Sequence, residues 1–184
     1  VELLVRPDIF GELGTRYFMK DALGCAAALH EFGRNSDLFF MANYAQTVNV
    51  IGAIKTSKTN AALESTGLVL ALYRKRFGTI PCTTEVEGFI DALAAWNDDR
   101  TALTVAFVNP SLEPATVKLA IRGATLGPGG TRYEISNRDP MAHNDPDGPR
   151  PIAIVESAVG APGDSVTLAP VSVTLYAFPA VPSR

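Results

Sequence analysis

The chain has 184 residues, of which 47% are hydrophobic and 19% charged, so it is long enough for one large or two small domains and reads as packed rather than disordered. A net charge of −3 gives no electrostatic case for nucleic acid or anionic lipid, and no apolar run approaches the length of a membrane span. Cys25 and Cys82 lie far apart, as do His30 and His143; this spacing predicts free thiols, no metal site and no cofactor.

The first residue is Val1, and no leader pattern follows it, so the N-terminus was either processed or belongs to a longer polypeptide; a cytoplasmic location is the expectation. Pro7 is the one proline before position 81, and twelve of the thirteen lie from Pro81 onward. A helix-compatible half therefore precedes a turn-rich half, with the boundary expected near Thr79–Thr84.

Pro7, Gly11 and Gly14 mark a loop, and Thr15 is placed to cap the helix that follows. From Tyr17 to Phe32 the spacing predicts a helix with Phe18, Ala22, Cys25, Leu29 and Phe32 on one stripe, stopped by Gly33 and Asn35. His30 lies beside that stripe and is expected at the surface, interacting with the helix end rather than acting as a base. Leu38, Phe39, Phe40 and Met41 form a short apolar run, the pattern of a strand covered on both faces. Just past it come Asn43, Tyr44, Gln46 and Asn49. Amide and phenol groups at that place are costly unless hydrogen-bonded, and in α/β folds the same end of a strand is where ligands sit. These residues either face a ligand or satisfy local backbone.

Residues 48–54 are apolar but contain Gly52, and periodicity does not choose between helix and extended chain. A polar loop from Lys55 to Asn60 leads to a second helix that starts either after Asn60 or after Ser65-Thr66 and covers Leu68–Phe77, with Leu70, Tyr73 and Phe77 as its stripe. Arg74, Lys75 and Arg76 crowd its last turn, and Gly78 ends it. After Pro81 the segments at 89–97, 101–109, 115–121, 131–135, 152–157, 165–168 and 171–178 read as short strands separated by turns, the pattern of an antiparallel sandwich. The loop 137–151, rich in Asp, Asn and Pro around Asp145, is expected to form a surface loop rather than a calcium site. Trp96 is expected to pack in the core.

No nucleophile elbow, P-loop or zinc-protease motif is present. Glycoside hydrolysis needs two carboxylates flanking one sugar. Glu31, Glu64, Glu85, Glu87, Asp91, Asp98 and Asp99 fall on helix faces, loops or turns, and Glu2 is too near the chain start to place.

The segment NYAQTVNVIGAIKT (43–56), with LYRKRFG (72–78), LTVAFVNPS (103–111), MAHNDPDGP (141–149) and VTLAPVSVTLYAF (166–178), resembles the α-L-arabinofuranosidases of glycoside hydrolase family 51. The resemblance implies an α/β fragment at residues 1–80, the last helices and strand of a (β/α)8 catalytic barrel, followed at 81–184 by an all-β antiparallel sandwich. It implies that both catalytic glutamates lie upstream, with no catalytic residue in this chain. Gln46 matches the family's substrate-contacting glutamine, with Asn43 and Tyr44 as neighbours of that position. The implied complete enzyme is a retaining, exo-acting hydrolase, a homo-oligomer, acting on arabinofuranosyl-containing oligo- or polysaccharides. The alternative is a non-catalytic carbohydrate-binding or accessory β module.

Overall fold

A computed structural model describes residues 14–183. The expected loop markers Pro7 and Gly11 lie outside the described residues. Helix α1 spans Met19–Arg34 and helix α2 spans Ser65–Arg76; between them lies a small hairpin of β1, Ile54–Thr56, and β2, Ala61–Leu63. The rest is strand: β3, Ile80–Cys82; β4, Asp91–Trp96; β5, Ala102–Asn109; β6, Ala115–Lys118; β7, Ala124–Leu126; β8, Gly129–Ser136; β9, Val155–Gly160; β10, Ser165–Leu168; and β11, Ser172–Pro182. All of these strand pairs are antiparallel. The main sheet runs β3-β4-β5-β11-β8-β9, β7 joins the far end of β11, and β6 pairs with β10 as a separate ribbon.

The alternation along β5 and β11 sends side chains to two different cores. Ala106 and Val108, opposite Leu175 and Val173, face α1 and α2, where Met19, Ala22, Ala26, Val69, Leu72 and Tyr73 meet them. Leu103, Val105 and Phe107, with Tyr176 and Phe178, point the other way, toward the ribbon residues Ala115, Val117, Val166 and Leu168. β5 is thus buried on nearly its whole length because both of its faces are covered. Trp96 packs at the margin of this second core. The protein is mostly β, two sheets face to face, with both helices laid on the outer face of the larger sheet.

Several expectations shift. The start of α1 is not capped by Thr15: Phe18 is the N-cap, the Asp21 carboxylate accepts its N–H at 2.7 Å, and the Thr15 N–H donates to the Val50 carbonyl. The face of α1 that meets the sheet is Met19, Ala22, Ala26 and His30, one step from the expected stripe. Small residues let the helix approach closely: Gly33 lies inside the helix rather than stopping it, and a Cβ there would stand 2.5 Å from Leu93 Cδ2. The stripe Cys25, Leu29 and Phe32 lines an open groove instead. Helix α2 begins at Ser65, between the two expected starts and next to the later one, and buries Val69, Leu72 and Tyr73, while Leu70 joins the groove. Of the polar stretch 55–60, Lys55 and Thr56 belong to β1, and residues 57–60 form the turn of the β1–β2 hairpin.

The larger correction concerns Leu38–Met41, which is not a buried strand. The N–H groups of Leu38 and Phe39 bond back to the Asn35 carbonyl, Leu38 is 76% exposed and Phe40 97% exposed. A strand exists only where a neighbour completes its ladder, and no described strand lies beside this run.

Candidate functional site

The polar segment after Met41 is folded by its own hydrogen bonds. Val48 bridges to Ile54, Asn49 and Val50 turn the chain through the left-handed region at φ 56° and 47°, and the segment closes on itself. Positive φ is expensive for a β-branched residue. Two donors offset it at Val50: the Thr15 N–H at 2.7 Å and the Lys55 ammonium at 3.0 Å both reach its carbonyl. The Asn49 side chain pins the other side, accepting the Thr56 N–H and donating to the Thr56 hydroxyl, each at 2.9 Å.

Gln46 stands exposed on this knot. Its Nε2 donates to the carbonyls of Val48 at 3.1 Å and Asn49 at 3.3 Å, and its backbone carbonyl accepts the Ala53 N–H. It lies away from the buried face of α2. Tyr44 turns inward: its hydroxyl shares a hydrogen bond with Thr66 Oγ1 at 3.2 Å and its ring meets Tyr17 edge-on. Asn43 is exposed and, with Tyr17, Tyr44 and Thr66, lines one end of a groove of about 690 Å³. The remaining walls are largely apolar: Cys25, Ala28, Leu29, Phe32, Phe39, Met41 and Leu70. Burial pushes the Cys25 thiol up to about 11, so it is a packing group there and not a nucleophile.

Beneath the knot lie two charged groups that periodicity does not single out. Lys55 and Glu64 are each 1% exposed. Lys55 sits over the Tyr17 ring, 5.4 Å from its centroid. Glu64 Oε2 accepts the Tyr17 N–H at 2.9 Å, while Oε1 is buried with no partner among the described residues. Burial pushes the Glu64 carboxyl up to about 7, against the lowering effects of the Tyr17 N–H, Lys55 and Arg16. A lysine inside β1 and a glutamate ahead of α2 look like solvated positions in sequence; only their partners' positions bury them.

The long loop 137–151 closes over the hairpin. Asp145 Oδ2 pairs with Arg16 at 2.8 Å, and Asp147 Oδ1 accepts from Ser57 and Asn60. Its carboxylates are engaged by protein donors, as a structural loop requires.

His30 corrects another expectation. It is fully buried, not at the surface. Its Nδ1 lies 2.8 Å from Asp91 Oδ2, its Nε2 lies 2.5 Å from the Tyr73 hydroxyl, and Arg34 holds the other Asp91 oxygen at 2.7 Å. This chain of contacts joins α1, α2 and β4. The sequence signal for it was missing because the three residues are separated by 43 and 61 positions.

A model of the α-L-arabinofuranosidase C-terminal domain family matches residues 9–172. No curated protein matches the chain. Among solved structures, the α-L-arabinofuranosidase of Thermotoga maritima in an arabinose complex is 23% identical, with a TM-score of 0.77, over 90% of this chain and 39% of that one. The thermostable family-51 α-L-arabinofuranosidase of Thermotoga petrophila RKU-1 is 24% identical, with a TM-score of 0.78, over the same shares. A family-30 endoxylanase of Clostridium papyrosolvens C71 is 12% identical, with a TM-score of 0.65, over 92% of this chain and 40% of that one. At these identities the likeness is one of fold. The chain spans well under half the length of each of these structures. Among the described residues, no helix is long and apolar enough to cross a membrane.

Proposed function

The chain belongs to the α-L-arabinofuranosidase C-terminal domain family, a family of glycoside hydrolases, and from that premise we propose that it is the C-terminal portion of an exo-acting, retaining α-L-arabinofuranosidase. The complete enzyme releases terminal arabinofuranose from arabinan, arabinoxylan or their oligosaccharides. The observation that carries this reading is the family match along residues 9–172, with the same fold in arabinofuranosidases of which this chain spans 39%. In this proposal residues 1–80 complete a (β/α)8 barrel and residues 81–184 form the sandwich beside it. The exposed run Leu38–Met41 and the apolar groove under it are then the surface on which the rest of the barrel lies. Both catalytic carboxylates come from that preceding part, one as acid/base and one as nucleophile.

Gln46 is the sugar contact in this reading. Its amide is exposed and projects from a loop braced on both sides, and a glutamine both donates and accepts, which suits a sugar hydroxyl. Its two present bonds reach backbone carbonyls two and three residues away, so exchanging one for a hydroxyl costs little. Losing one such contact costs about 1–3 kcal/mol of transition-state binding, roughly ten- to a hundred-fold in kcat/KM. The test is Gln46→Ala in the complete enzyme, assayed on an aryl arabinofuranoside. The expected result is that loss with the melting temperature unchanged; wild-type activity, or a loss that only follows stability, assigns Gln46 to the loop's own architecture. The 184-residue chain alone serves as the blank, and turnover by it above buffer overturns the placing of the carboxylates.

A further inference from the structure

Glu64 is the one carboxylate among the described residues with a buried oxygen that lacks a partner. Its side chain is closed off from solvent, yet one carboxyl oxygen has no donor. A buried carboxyl oxygen left alone is expensive, so such a group either holds a proton or keeps a donor within reach. The buried cation whose charge acts on it is Lys55. That residue is equally buried, makes no ion pair with Glu64 among the described contacts, and donates instead to the Val50 carbonyl at 3.0 Å.

The same two residues hold the loop that carries Gln46. The Ala53 N–H donates to the Gln46 carbonyl at 3.3 Å, the Glu64 N–H donates to the Ala53 carbonyl at 2.9 Å, and the Glu64 carboxyl receives the Tyr17 N–H. The Tyr17 hydroxyl closes the ring by donating to the Ile51 carbonyl at 2.9 Å. Val50, the residue held by Lys55, adjoins Asn49, whose carbonyl receives the Gln46 amide. The Lys55 ammonium is therefore linked to Gln46 through a single turn of chain.

We infer that Glu64 is a positioning residue: its free Oε1 competes with the Val50 carbonyl for the Lys55 ammonium, and the charge on Glu64 sets the conformation of the turn that presents Gln46. With Glu64 protonated, Lys55 stays on Val50 and the left-handed turn at Asn49–Val50 is braced. With Glu64 ionised, the ammonium swings toward the carboxylate and the turn loses one of its two braces. The other charges facing the pair are Arg16, on the lead into α1, and Asp145, on the 137–151 loop. Those two are bonded to one another at 2.8 Å and largely offset each other. Burial pushes the Glu64 carboxyl up to about 7, so its charge changes near neutral pH. The step deepens the proposed role of Gln46 and rests on it for its functional meaning, although its test does not involve sugar.

The experiment uses the 184-residue chain labelled for NMR. The probes are the Glu64 side-chain carboxyl carbon, the Gln46 side-chain amide pair and the Ala53 backbone amide, followed from pH 5 to pH 9. The three probes are expected to share one midpoint near 7, against about 4.3 for a free glutamate. In Glu64→Gln, which keeps the side chain's shape and an acceptor for the Tyr17 N–H, the Gln46 and Ala53 signals are expected to become flat over that range. A Gln46 signal that does not follow the Glu64 carboxyl in the wild type, or one that keeps its midpoint in Glu64→Gln, overturns the inference. The wild-type titration decides even if the variant is unstable. Failure of Gln46→Ala to change kcat/KM in the complete enzyme would remove the sugar contact but leave this coupling standing, so the two results separate.

Discussion

Tyr73→Phe removes one oxygen atom and leaves the shape of the core unchanged. The consequence follows from the proton inventory of the buried chain. Burial, with the negative charge of Asp91, keeps the Tyr73 phenol protonated far above its usual range, so Tyr73 donates to His30 Nε2. Burial alone would raise the Asp91 carboxyl, but hydrogen bonds from His30 and Arg34, with the Arg34 charge, outweigh it and hold the group below its usual range. Asp91 is therefore an acceptor, and His30 Nδ1–H donates to it at 2.8 Å. Without the hydroxyl, Nε2 is left as a fully buried acceptor with no partner. Stranding such a group costs about 1–3 kcal/mol, beyond any change in packing. For a chain of this size 1 kcal/mol moves the melting temperature by roughly 2–4 °C, which gives a fall of about 2–12 °C. Circular dichroism against temperature reads it, with urea unfolding as a second measure whose slope stays constant. Adding His30→Leu to Tyr73→Phe removes the stranded group and is expected to cost less than the two single changes added together. A Tyr73→Phe melting temperature within 1 °C of the wild type would refute the donor assignment.

Two further outcomes are open to direct measurement. The folded-state Asp91 carboxyl is lowered, so its contribution is present above the usual carboxylate range and is lost as pH falls through the lower folded value; the gap in melting temperature between wild type and Asp91→Asn is expected to be largest at pH 7 and to close in acid, and a gap that stays constant from pH 7 to pH 2 contradicts the ion-pair account. Leu38→Ser with Phe40→Ser removes two side chains that are 76% and 97% exposed, so the isolated chain is expected to self-associate less with folded stability unchanged; equal sedimentation profiles for the wild type and the double variant count against Leu38–Met41 as a sticky surface.

The β half was readable because its signals are local. Thr101–Asn109 alternates on a two-residue period, and the turn residues around it are those that turns require. The observed β5 and β11 lie within a residue or two of the expected limits at their starts. The same alternation shows that two faces exist, but not what covers each. The sequence of β5 is equally compatible with one wet face; in the fold, α1 and α2 cover one side and the β6–β10 ribbon the other.

The candidate site divides the same way. Asn43, Tyr44 and Gln46 were visible as a polar cluster behind an apolar run, and that is a statement about composition along the chain. Lys55 and Glu64 were not visible, because a charged residue is buried only when distant segments close around it, here the lead into α1 at Tyr17 and the 139–147 stretch. His30 reads as a surface residue in the sequence because its partners Tyr73 and Asp91 arrive from a second helix and from the main sheet. Leu38–Met41 shows the limit from the other side: its residue types specify a strand's preference for burial, but strand pairing is a bond between two segments, and the turn that forms instead is set by which neighbours are present. The sequence by itself determined the two helices, the run of strands after Pro81, the two-faced pattern of the sheet and the polar character of the loop at 43–49, since those depend on periodicities of a few residues. Tertiary structure alone decided which face of α1 meets the sheet, which charges are buried beneath that loop and which groups hold its turn, because each of those depends on atoms tens of residues apart coming within 3 Å or so of one another.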